Sequence, residues 1–162
     1  MVKLKLILES FLKKMENVED FMLCALGEAV SANQAGSIPV GAVVVRNREI
    51  LSSAGNEVIR RHDPTAHAEI LAIRAACLAI DSFLLDECDI YVTLEPCPMC
   101  AQAISLARIR RLYFGAYSPK YGGVDHGCKI FDHALHKTEV IGGVLETQCA
   151  EILQNFFKEN KK

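Results

Sequence analysis

A chain of 162 residues with a net charge of −2 is one domain by the usual size rule, and its near-neutral balance excludes binding of nucleic acid through bulk positive charge, leaving only local basic patches for such contacts. Seven cysteines, an odd number at irregular spacing with no secretory pattern before them, exclude a disulfide-stapled secreted scaffold and point to a reducing cytoplasm. Hydrophobic residues make up 51% of the chain, above the ordinary share, and the surplus reads as apolar surface for a second copy, a symmetric dimer being the default.

Residues 1–17 are read as an N-terminal extension and residues 18–162 as the domain. In the extension Leu4, Ile7, Leu8, Phe11, Leu12 and Met15 fall at helical spacing, while Lys5 and Glu9 interrupt any signal-peptide core. It is an extra packed helix, a membrane-surface helix, or sequence upstream of a start at Met15, with the first and last favoured. No apolar run approaches the length of a membrane span.

From Val18 to Ala35 the pattern Val18, Phe21, Met22, Ala25, Leu26, Ala29, Val30 predicts an amphipathic helix stopped by Gly36. Val40 to Val45 is a continuous apolar run, Asn47-Arg48 a turn, and Glu49 to Ala54 a return strand, together a hairpin. The segment from Gly55 to Ala66 reads as a loop. Thr65, after Asp63-Pro64, is the expected N-cap of a buried helix from His67 to Ile80. A strand follows from Asp89 to Leu94, then a helix from Pro98 to about Ala107, then a strand from Arg111 to Gly115. Residues 116–137 have no clear period and read as loop or short irregular helix. Glu139-Val140-Ile141 is a last short strand, and Leu145, Cys149, Ile152, Leu153 and Phe156 mark a terminal helix. Helices alternating with strands predict an α/β class, a three-layer α/β/α domain around a mixed sheet of about five strands. Cys24, Cys77, Cys88 and Cys149 fall in apolar runs and are expected in the core.

Two stretches carry chemistry. His67-Ala68-Glu69 and Pro96-Cys97-Pro98-Met99-Cys100 supply one imidazole and two thiols, three ligands for Zn2+, with the fourth tetrahedral corner left for water. Alone, Cys-x-x-Cys is equally a redox pair or half of a structural zinc site. His-x-Glu upstream makes the combination that of zinc nucleobase deaminases. Residues two apart do not share a helix face, so His67 and Glu69 can serve one water only if the metal lies off the helix end. Pro98 suits the first position of a helix, which puts both thiolates at a positive helix end. Two thiolates cancel the charge of the ion and weaken it as a Lewis acid, so a base is needed, and Glu69 is the residue positioned for proton transfer.

His62-Asp63-Pro64-Thr65-Ala66-His67-Ala68-Glu69, with Ile38-Pro39-Val40-Gly41-Ala42 before it and Thr93-Leu94-Glu95-Pro96-Cys97-Pro98-Met99-Cys100 after it, closely resembles the bacterial tRNA-specific adenosine deaminases over roughly residues 18–158. The resemblance implies the cytidine deaminase-like fold and a homodimer with RNA near the subunit interface. It implies one Zn2+ per subunit on His67, Cys97 and Cys100, and conversion of the wobble adenosine of an arginine tRNA anticodon stem-loop to inosine. It also implies Glu69 as proton shuttle, and Asn56 and the Ala68 backbone amide against the target base. An amide side chain offers a donor and an acceptor to an adenine edge, which suits Asn56. Arg60, Arg61, Arg108, Arg110, Arg111, Lys120, Lys158, Lys161 and Lys162 are candidate phosphate contacts, and Tyr117, Tyr121, Phe156 and Phe157 candidates for stacking on splayed bases. Ser118 stands where many relatives carry an acid, and Lys158 follows Phe156-Phe157 where relatives have arginines. The competing readings are a deaminase of a free base or nucleotide, guanine or cytosine type, and a non-catalytic zinc module for RNA or a protein partner.

Overall fold

The computed structural model describes residues 17–160, so the extension through Glu16, and Lys161 and Lys162 as phosphate contacts, lie outside the described residues. Helix α1 runs from Val18 to Gln34. Asn17 caps it by accepting the Asp20 N–H at 2.9 Å while the Asp20 carboxylate accepts the Asn17 N–H at 3.2 Å, satisfying two donors that a helix start leaves open. Gly36, at φ +78°, takes the left-handed turn that ends it. Its inner face is Phe21, Met22, Ala25, Ala29 and Ala32, whereas Val30, assigned to that face by spacing, is exposed. The small residues let the helix press onto the sheet: a side chain on Gly41 would come within 2.6 Å of the Ala29 nitrogen.

Strands β1 (Gly41–Arg46) and β2 (Glu49–Gly55) form the expected hairpin. Asn47 and Arg48 both have positive φ, the geometry of the tight turn whose twist matches antiparallel strands. The next element, helix α2 (Val58–Arg61), falls where a loop was expected. Four residues carry no helical period and cannot nucleate alone, so local side chains hold them. The Asn56 amide oxygen accepts the Val58 N–H at 3.2 Å, and Arg60 and Arg61 both pair with Glu57.

Helix α3 (Ala68–Ala79) leads to strand β3 (Cys88–Leu94), helix α4 (Pro98–Leu106) and strand β4 (Arg111–Ala116). A short helix α5 (Ile130–His133), strand β5 (Glu139–Ile141) and helix α6 (Glu146–Glu159) complete the chain. The sheet order is β2-β1-β3-β4-β5, antiparallel from β2 to β3 and parallel from β3 to β5, the five-stranded mixed sheet that alternating elements predicted. Central β3 is buried over almost its whole length, the reason its sequence is apolar without alternation. Helices α1 and α6 touch each other and the sheet, α3 packs on β1 and β2, and α4 lies against α3. No disulfide joins any of the seven cysteines: Cys88 and Cys149 are buried, Cys24 and Cys77 half-buried, and Cys128 exposed. Among the described residues no helix is long and apolar enough to cross a membrane.

Candidate active site

The carboxyl end of β3 and the starts of α3 and α4 meet at one place, where parallel strands of α/β proteins receive ligands. His67 is not in the first turn of α3 but is its N-cap residue, with extended backbone at φ −69° and ψ 152°. Thr65 is therefore not the cap. Its N–H and hydroxyl both donate to the Asp63 carboxylate, at 2.8 and 2.7 Å, in a turn that precedes the helix. Standing off the helix frees the imidazole from the helical wheel, so it can point to the same spot as Glu69 two residues on. Cys97 is likewise the N-cap residue of α4, with Pro98 in the first turn and Cys100 one turn in, as the sequence predicted.

His67 Nδ1 lies 3.7 Å from Cys97 Sγ and 3.5 Å from Cys100 Sγ, and the three donor atoms lie within 4.8 Å of one another. A tetrahedral zinc with ordinary Zn–N and Zn–S bonds sets these edges at about 3.6 Å. The donor set fits the ion, and among the described residues no fourth side chain of the metal-binding types completes the group. The Cys97 sulfur is poised to bind in ionised form. Cys97 is drawn down to about 4, first by the hydrogen bond from the Cys100 thiol, against its burial, and then by His67. The same bond and burial drive Cys100 up, and the Cys97 bond raises His67. Two thiols and an imidazole crowded together hold one proton too many, a conflict that a divalent cation resolves.

Glu69, only 4% exposed, is buried beside this group, and burial pushes its carboxyl up to about 7. It opens with His67, Cys97 and Asn56 onto a cavity of about 580 Å³ whose remaining walls are mainly Ile38, Val40, Leu94, Pro98, Leu153 and Phe157. A cavity of this size, apolar with a few converging polar groups, suits a purine nucleoside. Asn56 is 6% exposed, and with its amide oxygen engaged by the Val58 N–H it offers its amide nitrogen and one remaining lone pair. Ala68, fully buried at the start of α3, is not among the cavity walls, although both its neighbours are.

Glu95 belongs to the motif Thr93-Leu94-Glu95-Pro96-Cys97, but no spacing in the sequence signals a role for it. Its side chain is completely buried at the β3–α4 turn and accepts the N–H groups of Ser118, Asp125 and His126, each at 2.9 Å, together with the His126 ring nitrogen at 2.7 Å. Burial works to raise its pKa, but the Ser118 and His126 bonds hold the carboxyl below the ordinary range. The segment it grips lies flush on the turn. A side chain on Gly122 would run into the Glu95 carboxylate, and one on Gly123 would come within 2.6 Å of the Pro98 nitrogen.

Most of the candidate phosphate contacts are already paired. Arg60 and Arg61 share Glu57, Arg110 forks onto Asp89 with both bonds at 2.9 Å, Arg111 bonds Glu139 at 2.8 Å, and Arg108 approaches Asp86 at 3.4 Å. Arg110 and Arg111 also sit at the amino end of β4, away from the cavity. Lys120 holds its ammonium 5.1 Å from the centre of the Tyr121 ring. Of the aromatic candidates, exposed Tyr121 and Phe157 line the cavity. Tyr117 packs edge-on against Phe114 and His126, and Phe156 against Phe157.

Residues 15–116 match the family model of the cytidine and deoxycytidylate deaminase zinc-binding region. The tRNA-specific adenosine deaminase of Agrobacterium fabrum is 48% identical, covering 87% of this chain and 94% of its own length. A solved structure from studies of A-to-I editing by tRNA:A34 deaminases at the wobble position of transfer RNA superposes with a TM-score of 0.81 at 48% identity, over 82% of this chain and 98% of that one. A guanine deaminase structure from Bacillus subtilis matches at a TM-score of 0.61 and 41% identity, but over only 63% of this chain and 66% of that one. The chain belongs to the family of the cytidine and deoxycytidylate deaminase zinc-binding region and, within it, to the tRNA-specific adenosine deaminases.

Proposed function

We propose that the protein deaminates adenosine to inosine by hydrolysis at the wobble position of a tRNA anticodon, with zinc as cofactor. The observation that carries the reading is the convergence of His67, Cys97 and Cys100 at zinc-edge spacing beside buried Glu69, in a cavity of nucleoside size. His67, Cys97 and Cys100 would hold the ion. When bound, zinc supplies the Lewis acidity that makes water a nucleophile near neutral pH. Glu69 takes the proton released as water adds to C6 of adenine and passes it to the ring nitrogen, then carries the proton of the added hydroxyl to the amine, so that the C6–N bond breaks, ammonia leaves and the C6 carbonyl of inosine remains. The amide nitrogen of Asn56 orients the purine; the family resemblance adds the Ala68 N–H, one of the donors without an intrahelical partner at the start of α3, although Ala68 itself is not a cavity wall. The apolar walls exclude bulk water, which keeps the Glu69 proton on this path.

The test is an anticodon stem-loop of an arginine tRNA incubated with zinc-loaded protein and digested for nucleoside analysis. Inosine at the wobble position is expected, and its absence, with rapid turnover of free guanine or a cytosine nucleotide, would overturn the reading in favour of a small-molecule deaminase. Asn56→Ala should retain zinc and lose about 10- to 100-fold in kcat/KM, the cost of one buried hydrogen bond.

The working unit is a homodimer in the cytoplasm, where tRNA is found. Exposed Leu106 and Leu135 flank one groove whose other walls are Gln102, Ser105, Arg108 and His136, and a second copy seated there would cover both leucines. Light scattering is expected to give twice the chain mass, and Leu106→Glu with Leu135→Glu to give the mass of a single chain.

A further inference from the structure

The β3–α4 turn and the segment from Tyr117 to His126 are fastened through one carboxylate. Both oxygens of Glu95 are spent on that segment: one accepts the Ser118 N–H and the His126 ring nitrogen, the other the N–H groups of Asp125 and His126 and, at 3.4 Å, of Val124. The segment is not part of the sheet, and its other tie to the turn is the Gly123 N–H, which donates to the Pro96 carbonyl at 2.9 Å. Tyr117, edge-on at 6.0 Å, backs the His126 ring from the other side. A carboxylate is the side chain suited to this position, because it offers two acceptor oxygens and no donor to a ring of inward-pointing N–H groups.

What the segment carries gives the fastening a consequence. Ser118 and Tyr121 line the cavity, and Tyr121 is 68% exposed, with the Lys120 ammonium over its ring. An exposed aromatic beside a cation recognises a splayed base together with its phosphate. We propose that Glu95 is a positioning residue that sets this segment as the polynucleotide-facing wall of the site, so that it governs affinity for the RNA strand and not the chemistry on the target base. The inference rests on the tRNA-editing function proposed above.

Glu95→Gln keeps the volume but turns an amide donor toward N–H groups, which displaces the wall without emptying the cavity. The variant is expected to keep one zinc per chain, to hold kcat on the anticodon stem-loop within about threefold of the parent, and to raise KM at least about tenfold, the pattern of lost uniform binding. Fluorescence anisotropy with the same stem-loop, read without turnover, should weaken by the same factor. His126→Ala removes one bond of the set and should raise KM by about threefold. His126→Asn, which restores a donor near the position of the ring nitrogen, should recover it, and this pair carries the test if Glu95→Gln fails to fold. A stem-loop KM within twofold of the parent in Glu95→Gln, or in both His126 variants if that protein does not fold, overturns the proposal. Loss of zinc from a folded Glu95→Gln also overturns it, since Glu95 would then shape the metal turn. Absence of inosine with the parent protein removes the tRNA-editing function instead, and the anisotropy comparison still decides the role of the wall.

Discussion

Glu69→Ala is expected to retain one zinc per chain and to lose turnover by about 1,000-fold, within the range general acid–base catalysis supplies. The ligand atoms all belong to His67, Cys97 and Cys100, so removing the Glu69 carboxylate leaves the donor set whole. A module that merely held zinc would gain nothing from a carboxylate that is 4% exposed, because a buried acid costs stability unless its environment uses it. For the same reason the variant should melt no lower than the parent, a loss of activity without loss of fold that marks a functional group. Glu69→Gln, nearly the same in volume but unable to take a proton, should fall as far as Glu69→Ala. Zinc by mass spectrometry, inosine by chromatography and a thermal melt provide the three readings. Activity of Glu69→Gln equal to that of the parent would refute the proton-shuttle role.

The parts of the site legible in the sequence are those in which a short spacing fixes a geometry. Cys97, Pro98 and Cys100 need only one helix start to bring both sulfurs to a common point, and the places of the strands along the chain follow from short apolar runs such as Ile90 to Leu94. Where spacing is silent, the fold decides. His67 steps out of the helix because Asp63 takes the Thr65 hydroxyl into a turn, a competition between two polar side chains for the same backbone that pattern alone does not resolve. Helix α2 is held by Glu57 and Asn56 instead of a hydrophobic period, so no periodic signal announced it. Glu95 was invisible for another reason. Its partners are 23 to 31 residues away, and its role exists only after the segment from Tyr117 to His126 has folded back over the β3–α4 turn. The arginines needed the fold as well, since a sequence does not show which cation already has an acidic neighbour, as Arg110 has in Asp89.

His67→Ala should lose zinc, activity and stability together. With one of three donors removed, the two sulfurs are left with no third protein atom on the far side of the ion, and the donor edges of 3.5 and 3.7 Å that match tetrahedral zinc vanish. A ligand that binds only the folded chain stabilises it in proportion to the logarithm of its saturation, about 4 kcal/mol when free zinc exceeds the dissociation constant a thousandfold. For a domain of this size that corresponds to a fall of roughly 10 °C in melting temperature. The same fall is expected when a strong chelator is added to the parent, reversed by returning zinc, whereas the melt of His67→Ala should not respond to the chelator at all. Because the starts of α3 and α4 converge on these donors, the loss should appear first as faster amide exchange in residues 67–71 and 97–101, while β1 and β3 at the sheet centre keep their protection. A His67→Ala protein that still carries one zinc per chain and still melts lower with chelator would mean that another residue holds the ion, and the site assembled around His67, Cys97 and Cys100 would have to be redrawn.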